Sequence, residues 1–238
     1  MDNATFTTLT RQSGLMQEMQ AVANNIANAS TTGYRKEGII FSEHVERLGD
    51  DAPSLSMARA AGRVTSPEQG AMVRTGGTFD IAIQGDGFFV LETEAGERLT
   101  RAGSFTPDAA GELVDPQGNR LLDAGGAPIF VPPQAGDVVV GADGTLSADG
   151  FPIAQIGIAV PAQGTQVTRE AGVRFAPDGP IEPLPDATVK QGYLEDANVD
   201  PVAEIARMIE VQRAYELGQK FLEREDERVR GVIQTLGR

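Results

Sequence analysis

The sequence predicts a mixed fold: N- and C-terminal α-helices forming a coiled-coil-like domain, with a mostly antiparallel β domain between them. Three observations carry this reading. Gly, Pro and Asp-Gly pairs crowd the stretch from Pro53 to Pro201, and no Pro follows Pro201. Apolar residues keep helical spacing near both ends but fall into short β-type runs between 78 and 193. Charge divides at the same places. Residues 1–40 carry three basic and three acidic side chains and 201–238 carry seven of each, so the whole net charge of -14 lies in 41–200. Neutral ends can pack on copies of themselves without net repulsion, whereas an acidic middle favours solvent.

The N-terminal helix is marked by Leu15, Met19, Val22 and Ile26, which step by 4, 3 and 4 along one face. The polar run Ser30-Thr31-Thr32-Gly33 stops it. Asn24, Asn25 and Asn28 flank Ile26 although Asn is a poor helix former. Their amides read equally well as hydrogen-bonding groups across a helix interface or as the cap of a fraying end. The stretch 36–75 reads as an extended connector. Between 76 and 197, runs such as Asp80–Ile83, Phe88–Leu91, Arg98–Arg101 and Pro152–Val160 alternate with turn residues, the pattern of antiparallel hairpins.

The C-terminal segment, 198–238, opens with Asp200-Pro201, an N-cap followed by Pro at the first helical position. Met208, Tyr215, Leu222, Val229 and Leu236 then recur every seven residues, with Ile205, Gln212, Gln219, Asp226 and Ile233 as a companion column that is polar at its centre. A helix over 201–236 spans roughly 54 Å, more than a compact domain of this size requires. Half-polar stripes of this kind are marginal in isolation, so both ends are expected to order fully on assembly.

Composition excludes several chemistries. The chain of 238 residues has no Cys, no Trp and a single His, His44, which removes disulfides, thiolate metal sites and any two-His constellation. Gly85-Asp86-Gly87 lacks the third Gly of a dinucleotide fingerprint and reads as a turn. Asp143-Gly144 and Asp149-Gly150 lack a calcium loop's acidic ladder and also read as turns. No basic face suggests nucleic acid, no sequence motif marks a small-molecule substrate, and no enzyme activity, cofactor or metal is expected. The N-terminus has neither the basic opening nor the apolar run of a cleaved secretory signal.

Four boxes in order along the chain resemble the bacterial flagellar rod and hook proteins. They are Ala23-Asn24-Asn25-Ile26-Ala27-Asn28-Ala29-Ser30-Thr31-Thr32-Gly33-Tyr34, the stretch from Thr75 to Phe89, Gln191-Gly192-Tyr193-Leu194-Glu195, and Met208-Ile209-Glu210-Val211-Gln212-Arg213-Ala214-Tyr215-Glu216. Length and the short segment from Glu37 to Arg74 are most similar to the proximal-rod branch, with the distal-rod branch next. The resemblance implies an inner layer of paired terminal helices and an outer β domain. It also implies export by the flagellar type III apparatus without a cleaved signal, a place in the periplasmic rod of the basal body, and no catalysis. Its implied partners are copies of the chain, other proximal- and distal-rod proteins and the export apparatus. The residues expected at the assembly interface are Leu15, Met19, Val22, Asn24, Asn25, Ile26, Asn28, Met208, Gln212, Arg213, Tyr215, Leu222 and Val229. A secreted β-rich binding module with helical oligomerisation ends is the alternative outside the family.

Overall fold

A computed structural model describes residues 2–46, 55–170 and 172–236. The chain forms two compact units, one of residues 1–29, 36–66 and 199–238, the other of 30–35 and 67–198.

In the first unit, helix α1 (Asp2–Ala27) packs against helix α2 (Pro201–Leu236) and against a hairpin of strands β1 (Glu37–Glu46) and β2 (Leu55–Thr65). The stretch read as an extended connector is therefore paired over much of its length, from Glu37 opposite Thr65 to Glu46 opposite Leu55, with a bulge at Ile40/Phe41. The β-branched and aromatic run Ile39-Ile40-Phe41 favours this extended backbone. His44 lies in β1 opposite Met57. Asn28 ends α1: its backbone N–H and its side-chain amide both donate to the carbonyl of Asn24, at 3.1 and 2.8 Å. At the other helix the Asp200 carboxylate accepts the N–H groups of Val202 and Ala203, which is the expected N-cap.

The second unit is the antiparallel β domain. Its strands are β3 (Met72–Arg74), β4 (Ile81–Gln84), β5 (Phe88–Thr93), β6 (Gly96–Thr100), β7 (Thr106–Pro107), β8 (Leu113–Val114) and β9 (Arg120–Leu121). They continue as β10 (Val138–Val140), β11 (Thr145–Ala148), β12 (Phe151–Gln155), β13 (Ile158–Pro161), β14 (Val167–Arg169), β15 (Arg174–Pro177), β16 (Ile181–Pro183), β17 (Thr188–Gln191) and β18 (Tyr193–Glu195). β5 is the centre of the largest sheet: it pairs with β6 on one edge, while β9 and β13 share the other. Alternate residues of β5 serve opposite sides. Phe89 and Leu91 enter the larger apolar cluster with Ile81, Leu121 and Leu146, while Val90 joins Leu99, Leu122 and Phe175 in the smaller one. Phe89 also meets Phe105 edge to face, centroids 5.4 Å apart.

Two sequence expectations are corrected here. The runs on either side of Gly85-Asp86-Gly87 do not form a hairpin with each other, since β4 pairs with β17 instead. The turn itself stands, with Gly85 and Gly87 at φ of 88° and 106°. Arg101 donates to the carbonyls of both glycines, which occupies acceptors that a hairpin ladder would use. Likewise, 152–160 is not one strand. It breaks into β12 and β13 at Gly157, where a Cβ would stand 2.8 Å from the Leu122 carbonyl oxygen and 2.6 Å from that of Asp123. The Asp143-Gly144 and Asp149-Gly150 pairs are turns, and the Asp143 carboxylate accepts the N–H and hydroxyl of Thr145.

Candidate assembly interface

The expected interface residues lie on α1 and α2, in the helical unit. Val22 is buried on α1, while Leu15, Met19, Ile26 and Asn28 are half-buried and Asn24 is exposed. On α2, Met208, Tyr215, Leu222 and Val229 are all half-buried, and Gln212 and Arg213 are exposed.

Three polar contacts join the helices and fix their register. Gln12 donates from its amide to the Tyr215 carbonyl at 3.2 Å, Arg207 pairs with Glu18 at 2.5 Å, and Asn25 donates to the Glu204 carboxylate at 2.9 Å. Positions rise along α1 as they fall along α2, so the pair is antiparallel. Gly218 leaves room for the first of these contacts, since a Cβ there would come 2.9 Å from the Gln12 amide nitrogen. The hydrogen bond to Glu18 raises the Arg207 pKa above its ordinary value, against a smaller opposing effect of burial.

Asn25 has the most completely determined surroundings. Its side-chain oxygen accepts the N–H of Glu37 at 2.9 Å, and its amide donates to the carbonyl of the same residue at 2.8 Å. The amide thus satisfies both backbone groups of Glu37, as a neighbouring strand would, and still reaches Glu204. Glu204, 3% exposed, takes Lys36 on its other oxygen at 2.5 Å. Of the two sequence readings of the asparagines, Asn25 follows the first within one chain and Asn28 the second.

The companion column on α2 differs from the one the sequence suggested. Ile205, Gln212, Gln219, Asp226 and Ile233 are exposed throughout. The buried companions of Met208 and Tyr215 are Glu204 and Val211, followed by half-buried Gly218 and Glu225. Either column steps 3 and 4 against the Met208 series and either is polar in places, so spacing alone does not choose between them. Along α2, Val202, Ile205, Ile209, Leu217, Phe221, Val232, Ile233 and Leu236 remain exposed, as do Leu9 and Met16 on α1. An apolar groove of about 340 Å³ runs between the helices, lined by Leu15, Ala214, Leu217 and Phe221 among others.

These are the features of a helix pair with apolar surface left over, and similarity to known proteins agrees. Over 243 aligned residues the chain is 37% identical to the flagellar basal-body rod protein FlgF of Caulobacter vibrioides, covering all of this chain and 99% of the relative. The chain belongs to the flagellar basal-body rod protein family. It is also 35% identical to FlgF of Mesorhizobium japonicum over 100% of this chain and 99% of that protein. FlgG of Bacillus subtilis is 30% identical over 92% of each. Three family models match along the length: "Flagella basal body rod protein" over 8–35, "Flagellar hook protein FlgE/F/G D1 domain" over 82–148 and "Flagellar basal body rod FlgEFG protein C-terminal" over 190–235. All the expected interface residues fall in the first and last of these segments.

Sequence reasoning missed Gln12, Glu18, Glu204, Arg207 and Val211, which this family member uses to set its helix pairing. One signal was available: Glu204 sits four residues after the N-cap Asp200, in the first turn of α2, where a carboxylate is favoured by the helix dipole. Nothing in the sequence pairs it with Asn25, 179 positions away.

Proposed function

We propose that this chain is a proximal-rod subunit that joins copies of itself and other rod proteins, including the distal-rod protein FlgG, in the periplasmic drive shaft that passes torque from motor to hook. End-to-end similarity to FlgF relatives carries this reading, being fuller than the coverage of the FlgG relative. The exposed apolar residues of α2 support a role in assembly, because head-to-tail contacts that do not close on themselves build a helical filament. Leu15, Met19, Ile26, Met208, Tyr215, Leu222 and Val229, all half-buried, would supply apolar area on assembly, whereas Val22 is already covered within the chain, and Asn24, Gln212 and Arg213 would supply the polar contacts that choose neighbours. At about 25 cal/mol per Å² of apolar surface, several such side chains per contact offset the cost of ordering the ends. Export by the flagellar type III apparatus without a cleaved signal, and the absence of catalysis, belong to the same proposal.

The test is an in-frame deletion in the source bacterium, imaged by electron cryotomography and complemented with the full chain or with Leu222→Asp. Rods that stop short near the inner membrane, restored by the full chain alone, are the expected result. Complete rods in the deletion strain would overturn the assignment. Complete rods with Leu222→Asp would overturn only the role given to the apolar residues of α1 and α2 in assembly.

A further inference from the structure

The β unit contains a buried charge cluster that the assembly reading does not use. Glu195, 1% exposed, is its centre. One carboxylate oxygen accepts Arg35 at 3.0 Å and the backbone N–H of Gly70 at 3.1 Å. The other accepts Arg101 at 2.9 Å and the Gln69 amide at 3.5 Å. Each arginine then reaches a further backbone segment. Arg101, also 1% exposed, donates to the carbonyls of Gly87 at 2.5 Å and Gly85 at 2.7 Å. Arg35 donates to the carbonyls of Pro67, at 2.7 Å, and Glu68. Gln69 closes the circuit by accepting the Gly85 N–H at 3.1 Å.

A second set of contacts holds the segment that carries Arg35. The Gly33 N–H donates to the Glu195 carbonyl at 2.7 Å, and Arg169 donates to the Arg35 carbonyl with its guanidinium 4.4 Å over the Tyr34 ring. Gly33 has φ +69°, and a Cβ there would lie 2.3 Å from the Ala102 nitrogen, so the segment is seated against backbone. The chain enters or leaves this unit at 29–30, 35–36, 66–67 and 198–199, so each covalent exit lies within a few residues of a group in the cluster.

Burying two guanidinium groups around one carboxylate is an inefficient route to stability, since apolar residues of similar volume do as well or better. What the arrangement supplies is mutual dependence: one carboxylate is the shared acceptor for segments far apart in sequence. We propose that Glu195 is the centre of a clasp that makes segments 33–35, 67–70 and 85–87 open together or not at all, so that force arriving along any one exit is shared by all. The last clause rests on the rod reading, and the first does not.

Amide hydrogen exchange of the full-length chain, read by peptide, tests the clasp. Glu195→Gln is expected to speed exchange about a hundredfold in all three segments while peptides from β5 and β9 keep their protection. A rise confined to residues next to 195, or one uniform over the β unit, overturns the proposal, because a contact that only adds stability has no reason to link those three segments. Should Glu195→Gln not fold, Arg35→Gln removes one arm of the clasp and is expected to speed exchange about tenfold in 33–35, 67–70 and 85–87 together, which Gln69 and Gly70 still link through Glu195 and Gly85; a rise in only one or two of the three, or in none, overturns the clasp.

In cells, Glu195→Gln is expected to leave rods complete but to stop swimming at a lower medium viscosity than the parent. Equal swimming at every viscosity, or absent rods, overturns the sharing of force. Complete rods in cells lacking the chain would overturn the rod reading and leave the exchange result standing.

Discussion

The two units spend their apolar residues differently. In the β unit, Ile81, Phe89, Leu91, Leu99, Leu113 and Leu121 are each 0% exposed, and β5 is covered on both faces. In the helical unit, α2 is 36 residues long, and among its described residues only Glu204 and Val211 are buried. One unit closes a core with its own chain. The other holds its register through polar contacts, Asn25–Glu204 and Glu18–Arg207, and leaves apolar side chains such as Ile205, Ile209 and Leu217 uncovered. The lesson is that register and burial need not come from the same residues: a few hydrogen bonds can fix how two helices meet while the apolar surface stays available for a different contact.

The comparison is broken most severely by a cavity in the closed unit. Leu121→Ala should cost about 2–5 kcal/mol in thermal or urea unfolding of the β unit. A loss well under 1 kcal/mol would mean that this core is not closed. Next, Asn25→Ala leaves both backbone groups of Glu37 and the Glu204 carboxylate short of a partner, with an expected loss of about 1–3 kcal/mol measured on the helical signal. A neutral result would remove polar register from the account of the helical unit.

Smaller effects sharpen the contrast. Ile209→Ser, on exposed surface, should change the stability of the isolated chain by under about 0.5 kcal/mol yet reduce incorporation into rods; equal incorporation would take that face out of the assembly. Smallest is Glu170→Gln. The hydrogen bond from Arg98 holds the Glu170 carboxyl below the usual carboxylate range, against a weaker effect of burial. Its contribution is therefore complete above the ordinary carboxylate pKa and is lost as pH falls through the lowered value. Because Glu170 is 37% exposed, solvent screening keeps this below about 0.5 kcal/mol at neutral pH, and unfolding of wild type and variant should converge in acid.

Local chemistry made much of the architecture legible. The N-cap at Asp200, the stop after Asn28 and the turns at Gly85-Asp86-Gly87, Asp143-Gly144 and Asp149-Gly150 are all decided within a few residues, by backbone hydrogen bonds and by positive φ. The Met208-Tyr215-Leu222-Val229 column was equally visible, because helical spacing places those residues on one face whatever lies opposite.

The sequence by itself determined where α1 stops and α2 starts, the turns at Gly85-Asp86-Gly87, Asp143-Gly144 and Asp149-Gly150, the half-buried column Met208-Tyr215-Leu222-Val229, though not its last member Leu236, which is exposed, and, through ordered boxes along its length, the family. Tertiary structure alone decided that Val211 and not Gln212 completes the helix seam, that β4 pairs with β17 across 103 intervening residues (85–187), rather than with its neighbour β5, and that Arg35, Arg101 and Glu195 meet. The physical reason is common to all three. Periodicity and turn chemistry constrain each residue relative to its near neighbours, whereas a buried charge or a strand edge is satisfied by whichever distant group the closed fold brings within reach.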